Sequence, residues 1–208
     1  MKVLGVLDGH DMEPELLGAW AKSAEFIIAA DGAADQLLDL GVSPNIIVGD
    51  MDSLKGDPPG IEMVRDDDPT STDCDKLLRW VRQHDFSNFT LTNIEGDLVD
   101  HMLATLSSCA AFRKTMRVAL RRGIGWVFTG PIQINVDPGA RFSLIPLTAC
   151  SGVKLHGVQW RLDHAELDLG GRVSVSNSAT DGFVQASVGR GTAFLFAEYP
   201  REEMPFWD

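Results

Sequence analysis

Residues 46–53 of the chain read IIVGDMDS, the most informative stretch of the sequence. The apolar, β-branched run before Gly49 predicts a buried strand, and the glycine allows a tight turn or the close approach of a ligand. If the chain stays extended past the strand, its two-residue period places Asp50 and Asp52 on one side. Two carboxylates aimed at one point repel each other unless a cation lies between them, and oxygen ligands favour Mg²⁺ bound together with substrate phosphates. The alternative interpretation is an acidic turn in which Asp52 or Ser53 caps the next helix.

Strands and helices alternate in the first part of the chain. The predicted strands cover residues 2–7, 26–30, 46–48, 89–93 and 117–120, and the predicted helices cover 13–22, 33–40, 73–84 and 102–112. This alternation predicts right-handed crossovers and a parallel sheet with helices on both faces. We therefore predict an N-terminal α/β domain with a Rossmann-like parallel sheet over residues 1–123.

The pattern changes near Gly123, where the helical signal ends. Short β-prone runs separated by Gly, Pro and Asp follow at residues 126–128, 132–136, 142–146, 154–156, 174–176, 183–188 and 193–197. Such spacing is typical of an all-β sandwich or barrel. We therefore predict a second, all-β sandwich domain over residues 124–208.

Glycines and acids follow four of the elements in the first domain. These segments are Asp8-Gly9, Asp31-Gly32, Gly49-Asp50-Met51-Asp52 and residues 96–101, which read GDLVDH. Ligands of open parallel sheets bind beyond the carboxyl ends of the strands, so the acids are expected to share one site. Asp-Gly is also a common turn dipeptide, and ordinary turns are the alternative interpretation.

Thr72 and Asp73 begin a predicted helix on which Lys76 lies one turn later. The plain interpretation is a helix cap with an acidic first turn. The functional interpretation is that Asp73 is a metal ligand and Lys76 faces phosphate. The sequence has neither a G-x-x-x-x-G-K-[ST] loop nor a G-x-G-x-x-G fingerprint, so a nucleotide would be held mainly through metal and strand-end backbone groups. Lys76, with His101 or an arginine, would then neutralise phosphates, the main requirement of phosphoryl transfer.

Composition limits the class of protein. The net charge of −12 argues against non-specific nucleic-acid binding, which needs clustered Lys and Arg. No stretch approaches the ~20 apolar residues of a membrane span, and the apolar run at the N-terminus is too short for a signal peptide. Cys74, Cys109 and Cys150 are widely spaced and fit neither a disulfide framework nor a zinc site. They are expected to be reduced, in a cytoplasmic protein.

The motifs of the chain resemble those of the thiamine pyrophosphokinase family over nearly its whole length. In the first domain, ADGAA at 30–34 resembles ADGGA, PNIIVGDMDS at 44–53 resembles P-D-x-x-x-G-D-x-D-S, and TDCDK at 72–76 resembles T-D-x-x-K. In the second, SLIPL at 143–147, GVQWRL at 157–162 and VSN at 175–177 resemble S-L-I-P-L, G-L-K-W-x-L and V-S-N. The order and separation of the motifs agree as well.

The resemblance implies an α/β catalytic domain followed by a β-sandwich, in a homodimer whose thiamine site lies between subunits. It implies transfer of the pyrophosphoryl group of ATP to the thiamine hydroxyl with Mg²⁺, which gives thiamine diphosphate and AMP. Together with the spacing arguments it identifies the following candidate residues: the catalytic acids Asp50, Asp52, Asp73 and Asp100; the metal ligands Asp31, Asp50, Asp52 and Asp73; the ATP- and phosphate-binding residues Asp31, Gly32, Gly49, Ser53, Thr72, Lys76, Gly96 and His101; and the thiamine-binding residues Trp160, Ser176 and Asn177.

The second-domain candidates also have structural interpretations. Trp160 in a β-rich domain is otherwise typical of a core residue, whereas a cationic thiazolium or a pyrimidine would favour its face by ~0.5–2 kcal/mol. Ser176 and Asn177 would otherwise form a turn. The side chain of Asn177 presents a donor and an acceptor together, as an aminopyrimidine edge requires.

One segment departs from the family pattern. Residues 96–101 stand where the family has G-G-R-x-D-H, so Asp97 replaces a glycine and Leu98 replaces the arginine. Leucine has neither the charge nor the fork geometry of an arginine that bridges phosphates, and Arg65 and Arg122 are the candidate replacements. Two alternatives therefore stay open. One is a related Mg²⁺-dependent pyrophosphokinase with another hydroxymethyl substrate such as a pterin, and the other is a non-catalytic nucleotide- or thiamine-binding homologue.

Overall fold

The structure, a computed structural model, describes residues 1–10, 12–84, 86–96, 98–200 and 204–207. Asp97, in the segment that departs from the family pattern, lies outside the described residues. The chain divides into two compact units. The first comprises Met1–Phe112, Ala119–Arg121 and Pro205–Asp208, and the second comprises Arg113–Val118 and Arg122–Met204.

The first unit is built on a parallel sheet. Its described strands are β1 (Lys2–Val6), β2 (Phe26–Ala30), β3 (Ile46–Gly49), β4 (Glu62–Arg65) and β5 (Asn88–Thr92), and its helices are α1 (Pro14–Ser23), α2 (Asp31–Asp39), α3 (Asp73–His84) and α4 (Val99–Phe112). The strand order is β5-β1-β2-β3-β4, with every neighbouring pair parallel. The mixed α/β class predicted from the sequence is confirmed.

Burial explains which elements the sequence revealed. The residues of β3 are all buried, and those of β1 and β2 nearly all, as expected for strands covered on both faces. Helix α3 buries residues at helical spacing, including Cys74, Leu77, Leu78 and Val81. The sequence does not predict strand β4, because this strand lies beside β3 at the edge of the described sheet and is mostly exposed. It therefore lacks an apolar pattern.

Two helices begin earlier than their sequence patterns indicated. Helix α2 starts at Asp31, directly after β2, where residue 33 was expected. Helix α4 starts at Val99, where residue 102 was expected. In both helices the added first turn contains an acid, Asp31 or Asp100. Acids are stabilised there by the helix dipole, although they carry no apolar signal.

The C-terminal residues belong to the first unit. The indole N–H of Trp207 donates to Oγ of Ser23 at 2.7 Å. The rings of Phe206 and Trp207 lie 4.5 and 5.5 Å from the ring of Trp20, which is fully buried on α1. The sequence-based division had placed these residues in the second domain, because they follow its last strand.

The second unit consists of antiparallel strands in its described part. These are β7 (Gly123–Asn135), β8 (Arg141–Pro146), β9 (Cys150–His156), β10 (Leu162–Leu167), β11 (Ser174–Ser178) and β12 (Phe183–Glu198), whereas β6 (Met116–Leu120) is divided between the two units. Strand β12 pairs with β7 along its length, with β9 through its first half and with β8 through its second. Strands β10 and β11 pair with β9 and β8.

Strands β7 and β12 are each continuous where the sequence predicted two short strands. Gly130, with φ +78°, interrupts the pattern of β7, and a bulge between Val188 and Ala193 interrupts that of β12. Both features bend a strand without ending it. Strand β10 was not predicted, because its pairing is irregular and His164 has a φ of +45°.

Two further observations concern the chain as a whole. None of the helices in the described residues is long and apolar enough to cross a membrane. The three cysteines are free thiols, and all are buried.

Candidate functional site

Three carboxylates converge at one edge of the sheet. Asp31 follows β2, and Asp50 and Asp52 follow the neighbouring strand β3. A ligand oxygen from each lies within 4.8 Å of the other two. The sequence predicted that the carboxyl ends of these strands meet, and adjacent parallel strands bring the three side chains together.

Asp31 ties two strand ends together. Its side chain is 1% exposed; one carboxylate oxygen accepts the backbone N–H of Gly32 at 2.9 Å, and the other accepts that of Met51 at 2.8 Å. Burial raises the pKa of Asp31, and the charges of Asp73 and Asp50 add to the rise, while the two backbone hydrogen bonds oppose it. The two hydrogen bonds therefore fix the carboxylate, and its burial beside other negative charges favours a positive charge nearby.

Gly49 is required by the position of Asp31. A Cβ at residue 49 would lie 2.6 Å from Cγ of Asp31 and 2.7 Å from one of its carboxylate oxygens. Two residues later, Met51 has a left-handed φ of +68°, which costs a non-glycine residue about 1–2 kcal/mol. The hydrogen bond from its N–H to Asp31 stabilises this conformation. The sequence suggested a turn or a ligand near Gly49, and the structure places a carboxylate there.

Lys76 supplies a buried positive charge to the same site. Its side chain is 3% exposed, and Nζ donates to Asp50 at 2.6 Å and to Asp73 at 3.4 Å. Burial acts to lower the pKa of Lys76, but the hydrogen bonds and charges of Asp50 and Asp73 outweigh burial and raise it. The hydrogen bond from Lys76, followed by one from the backbone N–H of Asp52, lowers the pKa of Asp50 to about 2. Lys76 and Asp50 are thus both charged near neutral pH.

The first turn of α3 is fixed by a reciprocal cap. The N–H and hydroxyl of Thr72 donate to the carboxylate of Asp75 at 3.0 and 2.9 Å, and the N–H of Asp75 donates back to the Thr72 hydroxyl at 3.1 Å. Such a capping box satisfies N–H groups at the start of a helix. The capping interpretation of Thr72 is therefore correct, and the cap positions Asp73 and Lys76 one turn apart.

The other candidates of the first unit surround this site. Ser53 donates to Asp52 at 3.0 Å, and Gly32 packs so closely on the Asp8 carboxylate that a Cβ would collide with it. A Cβ on Gly96 would lie 3.2 Å from the carbonyl oxygen of Gly9, in the loop after β1. Asp100 and His101 are exposed in the first turn of α4. Among the described residues, no hydrogen bond or ion pair connects Asp100 or His101 to the acidic group.

The arginines considered as replacements for the family arginine are bound to acids. Arg65 is exposed and pairs with Asp67 at 2.8 Å, and Arg122 pairs with Glu198 within the second unit at 2.6 Å. A third arginine, Arg79, lies on α3 and pairs with Asp66 and Asp68. The N–H of Asp66 in turn donates to the carbonyl of Gly49 at 2.8 Å, so Arg79 supports the chain beside β3. Only its contacts across this loop identify that role.

In the second unit, the candidate residues are Trp160, whose ring is exposed, and residues near it that bind or adjoin its backbone. Trp160 is 57% exposed and is not a core residue. Asn177 is 2% exposed; its amide oxygen accepts the N–H groups of Trp160 and Ser178, and its amide nitrogen donates to the carbonyl of Trp160 at 2.8 Å. Asn177 thus fixes the backbone at Trp160.

Ser176 lies next to this clamp, in the left-handed region with φ +58°. Its N–H donates to the hydroxyl of Ser143, and its own hydroxyl accepts from Arg141, both at 3.1 Å. Ser176 itself is exposed, so its hydroxyl remains accessible to a ligand.

Two family models match the chain. The model described as thiamin pyrophosphokinase, catalytic domain, matches residues 17–120. The model described as thiamin pyrophosphokinase, vitamin B1 binding domain, matches residues 131–191. The first match includes the acidic group and Lys76, and the second includes Trp160, Ser176 and Asn177. Curated protein sequences gave no significant match.

Solved structures share the fold along nearly the whole chain. Thiamine pyrophosphokinase from Bacillus subtilis has a TM-score of 0.78 at 20% identity, covering 95% of this chain and 99% of that one. The Geobacillus thermodenitrificans protein has a TM-score of 0.80 at 17% identity, with 96% and 98% coverage. The yeast enzyme has a TM-score of 0.72 at 18% identity, with 97% and 87% coverage. At these identities the similarity establishes the fold.

The close contact between residue 49 and Asp31 predicts the effect of adding one methyl group. In a Gly49→Ala variant Asp31 must move, which breaks its bonds to Gly32 and Met51, and overpacking of this kind costs about 1–3 kcal/mol. The midpoint of thermal unfolding, measured by circular dichroism, is expected to fall by roughly 3–10 °C. Gly18→Ala on α1 is the matched control, because its Cβ meets nothing within 4 Å, and it is expected to be neutral or stabilising. A Gly49→Ala variant as stable as the wild type would contradict the packing argument.

Proposed function

The chain belongs to the thiamin pyrophosphokinase family, and we propose that its reaction depends on a Mg²⁺ ion held by Asp31, Asp50 and Asp52. The enzyme transfers the pyrophosphoryl group of ATP to the hydroxyl of thiamine, which gives thiamine diphosphate and AMP. The matches to both the catalytic and the vitamin-B1-binding models favour this activity over a pterin substrate and over non-catalytic binding.

The observation that carries the metal proposal is the convergence of the three carboxylates. One oxygen from each carboxylate lies within 4.8 Å of the other two, and among the described ion pairs of Lys76 the one to this group is with Asp50. Each oxygen of Asp31 accepts one backbone N–H, which leaves lone pairs free on both. An all-oxygen set of this kind suits Mg²⁺. When bound, the ion would neutralise the phosphate oxygens and stabilise the charge that develops on them. Asp73, the fourth predicted ligand, is proposed to bind through water.

Lys76 is proposed to bind the phosphates of ATP. Two of the three protons on its ammonium group are engaged by Asp50 and Asp73, and the third is available to a phosphate oxygen. Lys76 is also in the first turn of α3, where the positive end of the helix dipole adds to its charge. Because its side chain is buried and doubly bonded, the ammonium group is already placed before ATP binds. The residues around Lys76 and the acidic group are also proposed to contact the nucleotide; they are Thr72, Ser53, Gly32, Gly49 and Gly96. Roles for Asp100 in catalysis and for His101 in phosphate binding stay predictions from the sequence.

In the second unit, the exposed face of Trp160 is proposed to contact the cationic thiazolium or the pyrimidine of thiamine. Ser176 offers an accessible hydroxyl, and Asn177 supports the site by holding the backbone of Trp160. We further propose a homodimer in which the thiamine surface of one subunit serves the acidic group of the other. The resemblance to the family supports this arrangement.

The pairing of β12 bears on the architecture of the second unit, and the cysteines bear on the cellular location. We propose that the second unit forms a two-layer sandwich, because β12 changes its partner from β9 to β8 across a bulge, as strands do when they pass from one sheet to another. We also propose a cytoplasmic location, since the three buried thiols are unbridged.

Removing the charge of one proposed metal ligand is expected to stop the reaction. Asp50→Asn and Asp52→Asn should each lower kcat by about 10²–10³-fold or more, because a neutral amide is a poor ligand for Mg²⁺. The assay follows AMP and thiamine diphosphate from ATP and thiamine over a range of Mg²⁺ concentrations. Asp39→Asn, the same change at the exposed end of α2, is the control and should remain active. Near-normal turnover of either site variant at ordinary Mg²⁺ concentrations would refute the assignment.

Lys76→Met separates binding of phosphate from stability. The value of kcat/KM for ATP should fall about 10–100-fold, because a charge-assisted hydrogen bond to phosphate is lost. The loss in kcat/KM should exceed, as a free energy, any loss of stability, because Asp50 and Asp73 are partly exposed and remain hydrated, and methionine fills the volume of the lysine stem. Lys22→Met on the exposed face of α1 is the control. If only the melting temperature changes, the role of Lys76 is structural.

Subunit mixing tests whether the site is shared. Asp50→Asn and Trp160→Ala proteins should each be inactive, and a mixed dimer would contain one site in which both residues are intact. Random exchange of equal amounts yields mixed dimers in half the population, so about a quarter of the wild-type activity should return. Light scattering verifies the dimer, and mass analysis of differently tagged subunits verifies exchange. A monomeric protein, or exchanged subunits without recovery, would count against the shared site.

A further inference from the structure

The sheet of the first unit has a switch point that none of the proposed metal ligands occupies. From β1 the chain adds β2 and β3 on one side, and then β5 on the other, so the strand order reverses between β1 and β5. Open α/β sheets bind ligands in the crevice beyond the carboxyl ends of the strands at such a point. The acidic group lies instead at the ends of β2 and β3. The ends of β1 and β5 are therefore distinct from the strand ends that carry the acidic group.

A chain of side-chain hydrogen bonds crosses this crevice. One oxygen of Asp8 accepts from Nε2 of Gln36 at 2.6 Å and lies 2.9 Å from Nε2 of His10. The amide oxygen of Gln36 accepts from the amide nitrogen of Asn93 at 3.0 Å, and the amide oxygen of Asn93 accepts the N–H of Met12 at 3.3 Å. The loop after β1, helix α2 and the loop after β5 are thus tied into one rigid arrangement.

The backbone at this crevice is strained and closely packed. His10 and Asn93 have left-handed φ values of +50° and +60°. A Cβ on Gly96 would lie 3.2 Å from the carbonyl oxygen of Gly9, so the loops after β1 and β5 almost touch. Backbone conformations of this kind cost about 1–3 kcal/mol each and tend to cluster at functional sites. They persist here because the hydrogen-bond chain holds both loops.

We propose that the ribose of ATP binds in this crevice and donates its hydroxyl groups to the Asp8 carboxylate. This inference rests on the proposed function, which makes ATP the donor. The Asp8 side chain is 39% exposed, and an ionised carboxylate offers about four acceptor positions, of which the Gln36 amide occupies one. The negative charge of Asp8 repels phosphate, the amide of Gln36 donates to it, and Nε2 of His10 lies 2.9 Å away. The group that Asp8 fits is therefore an uncharged one with hydroxyl donors.

The spacing of the strands agrees with the length of the nucleotide. Neighbouring strands lie ~4.8 Å apart, so the ends of β1 and β3 are separated by roughly 10 Å, a distance that an extended triphosphate spans. With the ribose at Asp8, the triphosphate passes the start of α2 at Gly32 and reaches Asp50 and Asp52. The β-phosphorus, which the thiamine hydroxyl attacks, then lies at the carboxylates. The bond that breaks joins it to the oxygen that leaves with AMP, on the side of the ribose.

Nucleotides that lack one ribose hydroxyl test this placement. The wild type should use ATP with a kcat/KM about tenfold or more above that for 2′-deoxy-ATP or 3′-deoxy-ATP, because a hydrogen bond to a charged group is lost. Asp8→Ala should lower kcat/KM for ATP by a similar factor and use ATP and the deoxynucleotides equally well. The KM for thiamine should stay unchanged. Asp39→Ala, which removes an exposed carboxylate at the far end of α2, should keep the wild-type preference.

The outcomes separate this inference from the proposed function. A wild-type enzyme that forms no AMP from ATP and thiamine would contradict pyrophosphoryl transfer itself. Normal turnover without any preference for ATP over both deoxynucleotides, or an Asp8→Ala enzyme that keeps the full preference, would overturn the ribose site alone. Asp8→Asn keeps the shape of the side chain and removes only its charge. It serves if Asp8→Ala does not fold, and it should reduce the preference to a smaller factor.

Discussion

The mutual repulsion of carboxylates at neighbouring strand ends is the constraint on which the rest of the first unit depends. Asp31 is buried, and one of its oxygens lies within 4.8 Å of an oxygen of Asp50 and an oxygen of Asp52. Its position excludes any side chain at residue 49, and its bond to the N–H of Met51 holds a left-handed backbone. The buried Lys76 offsets part of the charge. Like charges held this close together are costly without a counter-ion, and this cost supports the proposed cation.

Two groups of polar side chains lie at different strand ends of the same sheet, and we propose a different part of ATP for each. The acids and Lys76 lie at the ends of β2 and β3 and at the start of α3, whereas Asp8, Gln36 and Asn93 lie around β1 and β5. The first group is charged and suits metal and phosphate. The second contains the carboxylate of Asp8 and the neutral amides of Gln36 and Asn93, and we propose that it binds hydroxyl groups. In the proposed binding mode of ATP, strand spacing sets the distance between the two groups and therefore the length of nucleotide that fits.

In the second unit, the buried side chain of Asn177 holds the backbone of the exposed residue Trp160. Asn177 uses both ends of its amide on the backbone of Trp160, and the ring of Trp160 is left exposed. A large aromatic side chain on a surface loop would otherwise be mobile, and a ligand that stacked on it would have to order it first. Fixing the backbone reduces that entropic cost. This arrangement also accounts for an asparagine at a position where its polar groups contact no solvent.

Short-range patterns in the sequence were sufficient for the strand–helix alternation, for the full extent of α3 and β2, and for the pairing of Asp50 with Asp52. These features depend on periodicities of a few residues, which the backbone itself imposes. Edge strand β4 and the extra turn at Asp31 lacked an apolar signal and were missed. Three features join residues that lie 17 or more positions apart in the sequence. They are the packing of Gly49 on Asp31, the hydrogen bonds of Asn177 to Trp160, and the hydrogen-bond chain from Asp8 to Asn93. Such contacts exist only once packing has brought distant strand ends together, so no local pattern records them.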